Sequence, residues 1–182
     1  MRCFLAIAVP GPIAQRLTEV AGRLRAGRAL PPENLHLTLA FLGEQERPAV
    51  EELHFALDRL RQQAFEIVFG PLGTFGNPPA SVHAEVRPSP GLDALHRSVH
   101  GAVHAAGIAL ERRRFRPHVT IARLARKLAP DEVAAVTKFL GNHAASPLPG
   151  FTADALTLFR SWTRPEGSIY EPLAEYPLRT AA

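Results

Sequence analysis

A 182-residue chain fits one domain or two small lobes and can bury a substantial core. Its 46% apolar content excludes a disordered chain, and its single cysteine, Cys3, excludes both an internal disulfide and a cysteine-built zinc site. The net charge of +4 is carried by arginine beside only two lysines, Lys127 and Lys138, and permits an anionic partner without requiring one.

The opening "MRCFLAIAVPGP" holds an apolar run too short to cross a bilayer, with Pro10 directly after it and no cleavage-site pattern. It reads as a strand over residues 3–9, so a cytoplasmic protein with no membrane partner is expected. Ile13, Leu17, Val20 and Leu24 then recur at helical spacing and close near Gly27. Residues 35–42 alternate as a second strand, stopped by Gly43. Pro48 opens a helix with Val50, Leu53, Leu57 and Leu60 along one face. From Phe65, "FEIVFGPLGTFG" is a third strand with a Gly-Pro bend.

"SVHAEV", from Ser81, starts the same order again. Leu92, Leu95, Val99 and Val103 line a helix ending at Gly107, and residues 117–123 form a strand. Pro130 starts a helix, with Asp131 and Glu132 in the first turn where they suit the dipole. Val133, Val136 and Leu140 give that helix its apolar face, and Gly141 its C-cap. Strands follow from Phe151 and over "SIYEPLAEYPL", the last broken at Pro172. The order β-α-β-α-β thus occurs twice, with corresponding elements offset by roughly 78 to 86 positions, which points to an internal duplication.

Two polar pairs stand in otherwise apolar strands: His36 and Thr38 in "NLHLTLAFLG", His118 and Thr120 in "RPHVTIARL", 82 residues apart. Strand residues i and i+2 share a face, so each His and Thr point the same way, roughly 6 to 7 Å apart. Leu35, Leu37, Leu39 and Phe41 take the opposite face of the first strand, Val119 and Ile121 that of the second. One His-x-Thr is more often a hydrogen-bonded bystander than a site. Two copies in matching places of a repeat bring two imidazoles and two hydroxyls together. Histidine can take or give a proton near neutral pH, and threonine can donate to phosphate oxygens where charge gathers. That set suffices for cleaving a phosphodiester with no metal. A P-loop, HExxH, GxSxG or acidic metal box is not found.

"NLHLTLAFLGE" and "RFRPHVTIAR" resemble the paired HxTx motifs of the 2H phosphoesterase superfamily, and most of all the RNA 2′,3′-cyclic phosphodiesterases, also named 2′-5′ RNA ligases. The resemblance runs nearly end to end, through "MRCFLAIAVP", "GPLGTFG", "LTLFRSW" and "YEPLAEYPL". It implies an α+β fold of two pseudo-symmetric lobes, each an antiparallel-type sheet with helices on its outer face and the active-site cleft between them. Residues 1–182 would form this one two-lobed domain, with half-repeats at about 1–78 and 79–182. The implied chemistry is hydrolysis of 2′,3′-cyclic phosphate RNA ends to 2′-phosphates, with no cofactor and no metal. His36 would donate a proton to the leaving 3′ oxygen, His118 would accept one from water, and Thr38 and Thr120 would hold phosphate oxygens. The same groups could run the reverse joining reaction, and a nucleotide- or RNA-binding module that has lost turnover is a third reading. RNA ends or cyclic nucleotides are the expected partners, and a monomer suffices for a cleft built within one chain.

The resemblance also brings Arg123 to phosphate, although strand parity puts it with Val119 and Ile121 unless a bulge re-aims it. A surface ion pair is the alternative. Phe4 and Phe115 could stack a nucleobase, against the commoner role of core packing. The basic run at residues 112–116, from Arg112 to Arg116, could steer RNA or be solvated surface. His96, His100 and His104 have a metal-binding spacing but no carboxylate or thiol beside them, so an exposed helix flank is expected. His54, His83 and His143 receive no role.

Overall fold

The structure, a computed structural model, describes residues 1–112, 114–143, 147–164 and 167–180. The first half of the chain gives β1 (Arg2–Ala8), α1 (Gly11–Ala21), β2 (Arg28–Ala29), a 3-10 turn (Pro32–Asn34), β3 (His36–Glu44), α2 (Arg47–Asp58), β4 (Phe65–Ile67) and β5 (Phe69–Phe75). The second gives β6 (Ser81–Val86), α3 (Pro90–Ala105), β7 (His118–Arg123), α4 (Pro130–His143), β8 (Phe151–Ala153), β9 (Ala155–Arg164) and β10 (Gly167–Pro177). Chain entry into α1, α2 and α3 uses proline at the first helical positions, where its missing N–H costs nothing. Ser89 adds a cap to α3 by accepting from the Leu92 amide at 3.2 Å.

The strands form an antiparallel sheet in the order β10-β9-β1-β3-β7-β6-β5, with β2 beside β7, while β4 and β8 pair separately. The fold is α+β with two matching wings, β9-β1-β3 and β5-β6-β7, as the resemblance implied. The wings are not the two halves of the sequence: β5 crosses to β6 and β9 crosses to β1, so each wing borrows a strand from the other half. The wings meet at one pair, Leu37 opposite Val119, both fully buried.

Beneath the sheet, α1 lies against β7 and α3 against β3, crossing in the same sense as the strands. Leu17 of α1, Leu53 and Leu57 of α2 and Leu92, Leu95 and Val99 of α3 are completely buried against Leu5, Leu37 and Ile121 of the sheet core. Each contributes about 1.5–3 kcal/mol of hydrophobic burial.

Four local expectations are corrected. Helix α1 stops at Ala21 with Gly22 as its cap, and the stretch before β3 holds β2 and the 3-10 turn. Gly141 lies inside α4, which buries Val136 and Phe139 while Val133 is 43% exposed. Strand β10 continues through Pro172 with a register shift between Pro172 and Ala174. As the sheet's edge strand it can carry a residue with no N–H to offer. Phe41 leaves the leucine face, for a reason that also moves Arg123.

Candidate active site

The Leu37–Val119 pair fixes the geometry of the four motif residues. In antiparallel register it sets His36 beside Thr120 and Thr38 beside His118, all on the face opposite the two buried residues. With strands about 5 Å apart and successive same-face residues 6 to 7 Å apart, the four side chains mark the corners of a small rectangle. A phosphate can span it. All four are half-buried, so water and a ligand reach them.

Each imidazole is held the same way. His36 Nδ1 lies 2.8 Å from the Asn34 carbonyl and His118 Nδ1 lies 2.7 Å from the Arg116 carbonyl. A carbonyl only accepts, so Nδ1 carries the hydrogen in both and Nε2 is left to exchange protons in the cleft. Burial pushes His36 down to about 4; the Asn34 hydrogen bond opposes this, and Arg123 and His118 add to it. Burial also lowers His118, against its bond to Arg116 and helped by Arg123 and Arg116. Both rings are therefore neutral at pH 7 before an anion arrives.

Matching bulges aim two further residues into the cleft. Between β1 and β3, Leu5 pairs with Ala40 and Ala6 with Thr38, so Leu39 is an extra residue; between β6 and β7, Val82 pairs with Ala122 and His83 with Thr120, so Ile121 is extra. The bulges lie 82 positions apart, as the motifs do. Each tucks two consecutive residues into the core, Leu39 with Ala40 and Ile121 with Ala122, and reverses the parity beyond. Arg123 thereby joins the face of Thr120, and its charge reaches both His36 and His118. Phe41 is its counterpart on β3. It stands opposite Phe4 at 6.1 Å between rings and is 67% exposed.

The rings under the two histidines differ. Phe4, Phe159 and Tyr170 surround His36, with centroids at 4.8, 6.2 and 5.0 Å. Phe4 is only 2% exposed, so it floors the cleft and cannot stack on a base. Beside His118 stand Phe75 at 4.6 Å and His83 at 5.3 Å, with the Arg116 guanidinium 5.0 Å from the Phe75 ring. His83, given no role from the sequence, is buried flat on Phe75 at 3.9 Å, and its Nδ1 has no hydrogen-bond partner among the described residues. Burial, His118 and Arg116 hold it down to about 4. A neighbour of a motif histidine on an adjacent strand cannot be seen in one sequence.

The remaining candidates disperse. Phe115 stacks on His96 at 3.9 Å, which occupies one of its faces. His100 lies 4.1 Å from His96 and has its Nε2 3.3 Å from the Leu39 carbonyl. Among the described residues no group of three or more His, Cys, Asp or Glu is placed to hold a metal ion. Of the basic run, Arg116 sits at the mouth of the site and Arg112 and Arg114 are exposed, while Arg113 lies outside the described residues.

Comparison with known proteins places this arrangement. Residues 9–163 match the family model of the 2′-5′ RNA ligase superfamily. The chain is 30% identical over 179 residues to the RNA 2′,3′-cyclic phosphodiesterase of Archaeoglobus fulgidus, covering 95% of this chain and 98% of that one. It is 33% identical over 193 residues to the enzyme of the same name from Thermus thermophilus, covering 98% and 91%. Among solved structures, E. coli LigT complexed with 3′-AMP superposes with a TM-score of 0.79 at 26% identity, over 97% of each chain. With the paired motifs, the shared fold and these matches along nearly its whole length, the chain belongs to the 2′-5′ RNA ligase superfamily.

Proposed function

We propose that the protein hydrolyses 2′,3′-cyclic phosphate ends of RNA to 2′-phosphates, without a metal, by acid and base catalysis from two histidines. The observation that carries this reading is the register at Leu37 and Val119, which lays His36, Thr120, Thr38 and His118 around one phosphate-sized space. Thr38 and Thr120 hold the non-bridging oxygens, and Arg123 supplies positive charge beside them. One Nε2 takes a proton from water as its oxygen bonds to phosphorus. The other gives a proton to the 3′ oxygen as its bond to phosphorus breaks. One chain carries the whole set, so a monomer is sufficient.

The resemblance makes His36 the donor and His118 the acceptor. The electrostatics of the free protein oppose this, because His36, pushed down to about 4, carries no proton at Nε2 to give at neutral pH. An anionic phosphate set between the rings raises both imidazoles, and the bound state decides which one carries the proton. Incubation with adenosine 2′,3′-cyclic phosphate in excess EDTA tests the reading. Adenosine 2′-phosphate is the expected product; a 3′-phosphate, or no turnover until a divalent ion is restored, defeats it. Joining to a 5′-hydroxyl is the same transition state run backwards and is expected only where the two RNA ends are held together.

A further inference from the structure

Two segments leave the catalytic sheet toward the helices: residues 22–28, between α1 and β2, and residues 123–127, from the end of β7 toward α4. The first carries Arg23, Arg25 and Arg28, the second Arg123, Arg126 and Lys127, and neither contains an Asp or Glu. The fold lays them side by side. Arg28 pairs with Arg123 in antiparallel register, so both side chains leave the sheet on one face. Gly27, at φ 67°, lies so close to the end of β7 that a Cβ there would collide with the Arg123 carbonyl. The result is a basic shoulder that starts at the cleft.

Beyond the shoulder the surface opens into a groove between α4 and the chain leaving α1. The groove encloses about 680 Å³ and is walled by Arg23, Arg25, Lys138, Asn142 and His143, with Asp131 as the acid in its wall. Arg23 and Arg25 belong to both shoulder and groove, so the two are continuous. Both lysines of the chain, Lys127 and Lys138, stand on this path.

We infer that the shoulder and groove bind the RNA strand upstream of the reacting end, with the terminal phosphate between His36 and His118 and the preceding phosphates running past Arg28 and Arg25 to Lys138. The inference rests on the proposed function for the end that occupies the cleft. Arg123 links the two regions, since its charge reaches both motif histidines while its backbone packs on Gly27. Cations strung along an open path match the repeating phosphates of a strand, whereas a compact anion meets only one or two of them. Such contacts go to the backbone, so they hold a single strand without reading its sequence. The other basic run, Arg112 to Arg116, lies at the opposite end of β7; it follows Glu111 and closes with Arg116 over the Phe75 ring. Contacts this far from the reacting atoms bind ground state and transition state alike, so the groove favours RNA over a cyclic mononucleotide through KM and leaves kcat unchanged.

Calorimetric titration tests this with two probes, adenosine 2′-monophosphate and a single-stranded oligoribonucleotide of about eight nucleotides ending in a 2′-phosphate. Neither measurement needs turnover, so failure of the groove assignment is distinguishable from failure of the hydrolytic reading. The native chain should bind the oligonucleotide more tightly than the mononucleotide and with a steeper salt dependence. In the variant combining Arg23→Ala, Arg25→Ala and Lys138→Ala, oligonucleotide affinity should fall about 10- to 100-fold and its log–log slope against salt should flatten by about 2, with the mononucleotide unchanged. Lys138→Glu alone should weaken the oligonucleotide in the same direction. Equal affinity of the native chain for both probes, equal weakening of both, or an unchanged oligonucleotide affinity in the triple variant overturns the assignment. So does a loss that appears on Arg112→Ala with Arg114→Ala instead. All the replaced side chains are exposed, so the unfolding midpoint of each variant should match the native chain and confirms that the fold is intact.

Discussion

The strands that carry the two motifs, β3 and β7, have the same register to each other, the same bulge and the same hydrogen bond from imidazole Nδ1 to a carbonyl two residues back. What surrounds them differs: three aromatic rings under His36, but a buried histidine, one phenylalanine and Arg116 beside His118. The shared frame is what an internal duplication would leave. Under the proposed chemistry, surroundings that differ in this way would favour different protonation states of the two rings. Removing the pair's symmetry experimentally gives the largest effect. His36→Ala and His118→Ala should each lower kcat/KM by roughly 10²-fold or more. A cyclic substrate with sulfur in place of the leaving 3′ oxygen needs no proton donor. Activity on it should return in one of the two variants only, and that variant identifies the donor. Rescue of both, or of neither, contradicts a division of labour.

Arg123 sharpens the comparison next. Replacing Arg123 with Ala should cost about 10- to 100-fold in kcat/KM, the value of a charge-assisted contact, with Lys restoring part of it. The same substitution should raise the pH at which His36 and His118 titrate, because the guanidinium charge depresses both. NMR titration of the ring protons reads this directly. Unchanged titration would mean that Arg123 points away from the cleft.

Much of this was legible before any coordinates. Periodicity placed the helices and most strands, and the paired motifs supplied His36, Thr38, His118 and Thr120, because both are local patterns of one sequence. The exchange of β5 and β9 between wings was not legible, since pairing partners leave no local mark in a strand. The burial of Phe4 under the cleft and the place of His83 beside His118 depend on neighbours from other strands. The bulges did leave a trace. Leu39-Ala40 and Ile121-Ala122 each set two apolar residues in succession where alternation calls for one, at the same point after each motif. Strict parity across those positions is what misplaced Phe41 and left Arg123 unresolved.

The histidines also make the two surroundings separable by pH. His36 and His83 titrate near 4 in the folded chain, against a usual 6.5. Between those values the unfolded chain binds more protons, so stability is present in full above about 6.5 and is lost as pH falls toward 4. Each histidine contributes a slope of about 1.4 kcal/mol per pH step in that window. His83→Phe keeps a ring against Phe75 and removes one such slope from the His118 side alone. Urea unfolding at pH 7, 6 and 5 should show the variant losing less stability on acidification than the native chain. An identical pH dependence would show that His83 binds its proton equally in the folded and the unfolded chain.

The last contrast concerns how the two bulges are held. A bulged residue leaves the ladder, so its carbonyl needs a donor from elsewhere. On β7 the Ile121 carbonyl accepts from the Leu30 backbone amide at 2.8 Å, a donor no substitution short of proline removes. On β3 the Leu39 carbonyl accepts from His100 Nε2 at 3.3 Å, a side chain reaching up from α3. Identical bulges are thus secured by main chain in one wing and by a replaceable imidazole in the other. His100→Leu should cost about 1–3 kcal/mol, the penalty of a carbonyl left without its donor, and Gln should restore most of it. If loss of the donor also frees the bulge, backbone amide exchange around Leu39 and Ala40 should quicken while that around Ile121 and Ala122 holds. A stability loss with amide exchange at Leu39 and Ala40 unchanged would instead leave His100 as support for α3 packing, and the two bulges as equally rigid.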